Sequence, residues 1–306
     1  MTDYPKVSVV IPHLNEPDDL RACLAALKAQ RTDGFGFEII VVDNGSREMP
    51  DFATTLAPNV RLLRETTPGP GPARNFGVAN ARASLIAFID ADCLAAPGWL
   101  AEIVRHFDAN PQTDFAGGDI RIRPTSGQLT GIECYECIYS YRTQTYVQRL
   151  GFAATGNMAV RARVFRAVGP FGGIGTMEDT EWGQRATAMG YGIAYLPNAR
   201  VYTPSCRSYP ELVRRLDRHI AHEFEENRGK SLSSLRWLAR AALIAASPAG
   251  EVVRVMRSER VQTWRQRMLA LGCVTRVRLY RAQRMLGLAR SGNAAGMLDV
   301  WNRESS

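Results

Sequence analysis

Apolar runs and periodically apolar stretches alternate over the first two thirds of the chain, and this alternation sets the first expectation. VSVVI (7–11), EIIVV (38–42) and SLIAFI (84–89) are continuous or nearly continuous apolar runs of the kind presented by strands buried on both faces, and VRLLR (60–64) reads as a shorter strand. Between the first two, DDLRACLAALKAQ (18–30) spaces Leu20, Leu24 and Leu27 along one face of a helix. PARNFGVANARA (72–83) reads as a second helix with proline in its first turn, and Pro97 opens a third over WLAEIVRHF. This β-α-β-β-α-β order predicts an α/β fold, a mostly parallel sheet covered by helices. After Phe107 the pattern loosens. It predicts a strand at FAGGDIRI (115–122), helices over 129–149 and 176–190, and short strands at IAYL and ARVYT.

The strands hand over to polar clusters at their carboxyl ends, the edge where open α/β sheets bind ligands. PHLNE follows the first strand, bringing Asn15 and Glu16, and DNGS follows the second, bringing Asp43. Ahead of the fourth strand, PGPGPARN offers free amides and Arg74 at a helix amino terminus, an arrangement that favours anions. The fourth strand ends in FIDADCL, two aspartates one residue apart. Carboxylates this close repel unless a cation or protons neutralise them, which points to a divalent metal with phosphate oxygens on its far side. The loop lacks the spacing of a dinucleotide fingerprint or a P-loop. A sheet edge with carboxylates, an arginine and a metal suits a nucleotide diphosphate.

VSVVIPHLNE, EIIVVDNGS, PGPARNFGVANA, LIAFIDADCLAAPGWL, TGNMAVRARVFRAVGPF and MEDTEWGQRATAMGYGIAYLP occur in the order and spacing of family-2 inverting glycosyltransferases of the GT-A fold, which residues 5–205 resemble. The resemblance implies that Pro12, Asn15, Glu16 and Asp43 hold the nucleoside and that Arg74 lies near the donor phosphates. It makes Asp90-Ala91-Asp92 the D-x-D that binds ribose and metal, with Asp92 carrying Mg²⁺ or Mn²⁺. Gly156 and Asn157 would border the sugar and acceptor, and the Glu178-Asp179 pair would supply the base. Such chemistry needs a departing diphosphate neutralised and a carboxylate to take the proton of an acceptor hydroxyl. Asp179 is the expected base, with Glu178, on the acceptor side, or Glu181 as its alternate. Two departures stand out. Tyr202-Thr203-Pro204 occupies the place where related enzymes often carry a metal-binding histidine, and the Q-x-x-R-W motif of processive synthases is absent. His219 and His222 fit a solvated helix face better than the site, and His13 fits a pocket wall.

Composition narrows the setting. With 306 residues, 45% of them hydrophobic, the chain can bury one large core and an appendage. It has no run of 18 uncharged apolar residues and no secretory signal at its start, so the cytoplasm is the expected compartment. Six scattered cysteines suit a reducing one, and the single C-x-x-C of Cys134 and Cys137 lacks a second pair for zinc. From Arg228 onward 15 basic residues face 4 acidic ones, a net +11, whereas residues 1–227 carry 23 and 26, a net −3. Only Lys6, Lys28 and Lys230 are lysines, a bias that a GC-rich genome can produce. The chain is expected to divide into a catalytic domain at 1–228 (donor part to about 122, acceptor part 123–228) and a basic helical extension at 229–306.

The extension interleaves arginines with Trp264, Met268, Leu279 and other apolar residues. This suits either a helix lying in an anionic membrane interface, peripheral to the inner face of the cytoplasmic membrane, or a hairpin packed within the protein. Nucleic acid is not an expected partner. The expected function is transfer from a nucleotide sugar, UDP-linked by expectation, to a sugar or lipid-linked acceptor in cell-envelope glycoconjugate synthesis. A nucleotidyltransferase, a haloacid-type phosphatase and an inactive sugar-nucleotide-binding protein are the alternatives.

Overall fold

Alternation of side chains along each buried strand decides what covers the sheet. The computed structural model describes residues 4–32, 34–53, 59–227 and 233–292. Contacts divide them into two compact units, one of residues 1–121 and 141–204, the other of residues 122–140 and 205–306. In the first unit, β1 (Val7–His13) turns Val9 and Ile11 to one core and Val10 to another, and β4 (Leu85–Ile89) splits Ala87 and Ile89 from Ile86 and Phe88. The first face is covered by α1 (Pro17–Lys28) and α3 (Trp99–Ala109) through Leu20, Leu24, Leu27, Ile103 and Phe107. The other carries α2 (Pro70–Ala79), α5 (Ala162–Val168) and α6 (Glu178–Ala188).

The sheet has eight strands in the order β3-β2-β1-β4-β7-β6-β8-β5. β2 (Phe37–Asp43), β1, β4 and β3 (Val60–Arg64) pair in parallel, as the alternating pattern predicts. Beyond β4 the sheet turns antiparallel, through β7 (Asn157–Arg161) and β6 (Phe115–Arg123), so the whole sheet is mixed. The two expected late strands are one, β8 (Ile193–Pro204), and the two-residue β5 (Leu94–Ala95) pairs with it antiparallel. The helix expected over 129–149 is broken. Its first part, α4 (Gly131–Tyr139), ends where Ser140 goes extended, and a π-helical turn at Tyr146–Leu150 follows.

An aromatic cluster fixes α6 to the sheet. Trp182 stacks on Phe165 with centroids 5.5 Å apart and meets Phe115 edge-on at 5.5 Å. Its indole N–H donates to the Gly169 carbonyl at 2.8 Å. Phe88 and Phe171 complete the cluster, so the acidic start of α6 is held by buried rings rather than by its own helix propensity.

The second unit is helical besides the end of β6: α4, α7 (Tyr209–Asn227), α8 (Ser233–Ala246), α9 (Pro248–Arg257) and α10 (Trp264–Ser291). α10 starts with a capping box between Thr263 and Gln266 and ends at Gly292 in the left-handed conformation. Its Val274, Val277, Met285 and Leu288 are buried in the unit's own cores, while Trp264, Met268, Leu279 and Leu286 are exposed. No helix among the described residues is long and apolar enough to cross a membrane. Cys134 is buried against Val255, Val261 and Ala270. His219 is exposed on α7; the side chain of His222 and the composition shift at 228–232 lie outside the described residues.

Because Trp182 is fully buried and has a polar partner, Trp182→Ala should cost about 3–5 kcal/mol, measured by urea unfolding. A loss under 1 kcal/mol would mean that α6 is held elsewhere.

Candidate active site

Register brings the first two clusters together. Parallel pairing sets His13 opposite Asp43, and His13 Nδ1 lies 3.0 Å from Asp43 Oδ1. The other oxygen of Asp43 accepts the backbone N–H groups of Gly45 and Ser46, at 3.2 and 3.1 Å. Burial alone would raise the Asp43 carboxyl, but His13 and Ser46 hold it below its ordinary value. Asn15 sits in the left-handed region at φ 56°, which asparagine tolerates; its N–H donates to Ser46 Oγ and its side-chain oxygen accepts from Arg47 N–H. Asn15 is thus a brace between two loops, while Pro12 pairs with Val42 within the sheet.

The glycine-proline loop is built for close approach. Gly69 has φ 122° and donates its N–H to Asn44 Oδ1 at 2.7 Å. A Cβ on Gly71 would lie 2.1 Å from the Gly172 carbonyl oxygen, so glycine is needed for α2 to meet that loop. Asn75 completes the join, exchanging two 2.9 Å hydrogen bonds with the backbone of Phe171.

Arg74 projects from α2 and is buried between two carboxylates. One nitrogen donates to Asp90 Oδ1 at 2.6 Å and another to Glu178 Oε1 at 3.0 Å. Its buried Nε–H has no partner among the described residues, a donor suited to an anionic oxygen.

The D-x-D turn closes through a hydrogen bond from Cys93 N–H to the Asp90 carbonyl, with Ala91 buried in the core. Ligand atoms of Asp90, Asp92 and Cys93 lie within 4.8 Å of one another. Burial, then Asp90, pushes the Asp92 carboxyl up to about 6. Burial, then Asp92 and Asp19, pushes Glu16 up to about 7. Carboxylates that retain protons this far above their usual range are short of positive charge, so an oxygen-seeking divalent ion fits here. The buried Cys93 thiol is pushed well up, chiefly by burial, and offers no thiolate. β5–β8 pairing sets Leu94 opposite Tyr202, which brings Thr203, of the expected Tyr202-Thr203-Pro204 segment, against the Cys93 thiol. Gly156 leaves room for the carboxylate: a Cβ there would lie 2.9 Å from Asp90 Oδ2.

Asn157 is held within the fold. Its side chain is buried and fully used inside the fold, accepting from the Trp99 indole at 2.8 Å and donating to the carbonyls of Asp119 and Ala199 at 3.0 and 2.8 Å.

The three acids of α6 have different partners. Glu178 pairs with Arg74, and Glu181 pairs with Arg185 at 2.8 Å. Asp179 has no cation within ion-pair distance among the described residues; its Oδ1 accepts the Thr180 N–H at 2.7 Å. Burial, then Glu178, pushes its carboxyl up to about 6. One helix start therefore presents two fixed carboxylates and one available to accept a proton.

The family model for glycosyl transferase family 2 matches residues 8–169. The chain belongs to this family. It is 29% identical over 217 residues to the glycosyltransferase AglE of Haloferax volcanii, covering 69% of this chain and 70% of that one. It is 36% identical to the uncharacterized glycosyltransferase YibD of Escherichia coli over 30% of this chain and 27% of that one. Among solved structures, the mannosyltransferase PcManGT of Pyrobaculum calidifontis, in complex with GDP-Man and Mn²⁺, covers 99% of this chain and 89% of its own at 19% identity and TM-score 0.58. S. aureus TarS (residues 1–349) with UDP-GlcNAc covers 96% of this chain and 89% of its own at 16% identity and TM-score 0.51. The protein is a glycosyltransferase of the GT-A fold, which displaces the nucleotidyltransferase and phosphatase alternatives.

The pattern of apolar runs locates the strand ends but not the pairings across them. His13–Asp43 was legible only through parallel register, and Trp99–Asn157 joins residues 58 apart with no local signal. Asn157→Ala leaves a buried indole N–H and two carbonyls unpaired, so it should destabilise the fold by about 3 kcal/mol in urea. Unchanged stability with weakened acceptor binding would restore the ligand role.

Proposed function

We propose that this glycosyltransferase is metal-dependent and inverting, moving a sugar from a uridine diphosphate donor to a hydroxyl of a lipid-linked or other cell-envelope acceptor. The observation that carries the reading is the buried Arg74, which joins Asp90 of the D-x-D to Glu178 beside the cation-free Asp179. Donor and base are thereby held against each other by one rigid fork. The nucleotide sugars and Mn²⁺ in the two neighbouring structures support a donor and a metal of these classes.

Asp92, with Asp90 beside it, would hold Mg²⁺ or Mn²⁺. A divalent ion there supplies neutralisation of the departing diphosphate. Asp43 and the Pro12–Glu16 turn bound the nucleoside side, and the Arg74 Nε–H is a free donor toward phosphate oxygen. Asp179 takes the proton of the acceptor hydroxyl as that oxygen attacks the anomeric carbon. One displacement inverts the centre and needs no enzyme nucleophile. The work would be done at the inner face of the cytoplasmic membrane, with the protein peripheral to it.

Mn²⁺ should raise the melting temperature of the wild type and leave Asp92→Ala unmoved. At pH 7.5 without metal, the sign of the Asp92 shift adds a second expectation. A carboxyl raised by folding loses stability as pH rises through about 6, so Asp92→Ala should melt no lower than wild type. Equal Mn²⁺ shifts in both proteins would remove Asp92 from the metal site.

Asp179→Asn should bind donor normally and transfer sugar about 100-fold more slowly. With donor and metal saturating, wild-type turnover should rise with pH through about 6, where Asp179 loses its proton, and this limb should vanish in the variant. A rate near wild type would move the base elsewhere.

A further inference from the structure

The second unit carries a groove for which the transfer chemistry has no use. One wall is a stripe of α10, where Arg265, Met268, Leu269, Gly272 and Arg276 recur three or four residues apart and so share a face. Ile132 at the start of α4, and Arg207 and Tyr209 near the start of α7, line the rest of a cavity of about 710 Å³.

Its charge is set by arginines that no acid neutralises. Several arginines of this unit are matched to acids: Arg215 to Glu136, Arg278 to Glu251, Arg281 to Glu223 and Arg284 to Asp217. The guanidiniums of Arg207, Arg265 and Arg276 make no ion pair among the described residues, while the Arg207 backbone N–H donates to Glu211 Oε2 at 2.8 Å. Arg276 is nonetheless held in place, its guanidinium 3.6 Å from the centroid of the Tyr209 ring. Between the arginines the lining is apolar, and Gly272 leaves its middle open, since a Cβ there would meet nothing within 4 Å. Large apolar side chains continue past both ends: Trp264 is 66% exposed beside Arg265, and Leu279 is 53% exposed one turn beyond Arg276.

We propose that this groove binds a lipid with a terminal phosphate, its head on the three arginines and its first carbons along Met268, Leu269 and Ile132. A soluble phosphate would satisfy the arginines but leave the apolar lining wet. A neutral lipid would cover the lining but bring no charge to three exposed arginines that its head would cover. Exposed Trp264 suits the polar–apolar boundary of a bilayer. The inference deepens the lipid side of the proposed function and rests on it only there, because binding can be read without any transfer.

The test is flotation of the full chain at physiological ionic strength with phosphatidylcholine vesicles, plain or doped with phosphatidic acid or, at matched surface charge, phosphatidylglycerol. The phosphomonoester vesicles should retain the protein most. Arg265→Gln with Arg276→Gln should weaken that partition about 30-fold, the loss expected for two arginines at an anionic surface. Gly272→Phe fills the groove without meeting a neighbour and should weaken it similarly at an unchanged melting temperature. Equal retention by both anionic lipids, or wild-type retention of Gly272→Phe, would overturn the proposal. So would protection by inorganic phosphate without vesicle binding, which would assign the groove to a soluble anion. Transfer to a soluble acceptor is assayed separately. Lost vesicle binding with intact transfer sinks the groove alone, and intact vesicle binding with no transfer sinks the transfer reading alone.

Discussion

A guanidinium taken out of water must be met by negative charge, and Arg74 is met twice. Its partners come from a strand end and from a helix start 88 residues further along the chain, Asp90 and Glu178. Removing either would leave a buried charge half-matched, a cost of about 3–5 kcal/mol for buried pairs of this kind. The glycines around it serve the same contact: Gly71 lets α2 reach the Gly172 loop, and Gly156 leaves room for the Asp90 carboxylate. The rest of the site inherits its geometry from this fork, because the D-x-D turn and the head of α6 are the two parts that it joins.

That fork also explains why the edge stays acidic. Arg74 is shared by two acids, and Glu16 and Asp92 lie beyond it with raised carboxyls. A protein that wanted only stability would replace such groups with neutral ones. Crowding raised carboxyls at a sheet edge costs stability in the empty site, a cost that a bound cation would relieve.

Much of this was legible in the order of residues, and the remainder fails for identifiable reasons. Buried parallel strands announce themselves as apolar runs, so β1 to β4 and the acids at their ends were within reach. β7 was not, because NMAVR is short and its pairing with β4 is fixed by contacts far along the chain. β8 was divided in two at Pro197-Asn198, residues that normally end strands but here fall within one. Asn157 sits in a motif that reads as a ligand loop, yet three internal hydrogen bonds use up its amide. Motif position identified the neighbourhood; hydrogen-bond accounting shows which of its side chains are already engaged inside the fold.

The same accounting separates two readings of the basic tail. Charge and interleaved apolar residues suit both a membrane-surface helix and an internal hairpin, and α10 has features of each. Val274, Val277, Met285 and Leu288 are spent in the second unit's own cores, so they cannot also lie in lipid. Most of the arginines near them are matched to acids, so the net +11 of the tail overstates the charge free to attract a surface. Part of what is left after that subtraction lies along one stripe: arginines without an ion pair, an open glycine, and exposed Trp264 and Leu279. A helix that is amphipathic all along its length adheres to any anionic surface. One that sets part of its free charge along a lined groove can instead distinguish a phosphate head from charge alone, and specificity of that kind depends on where those arginines are rather than on how many the tail contains.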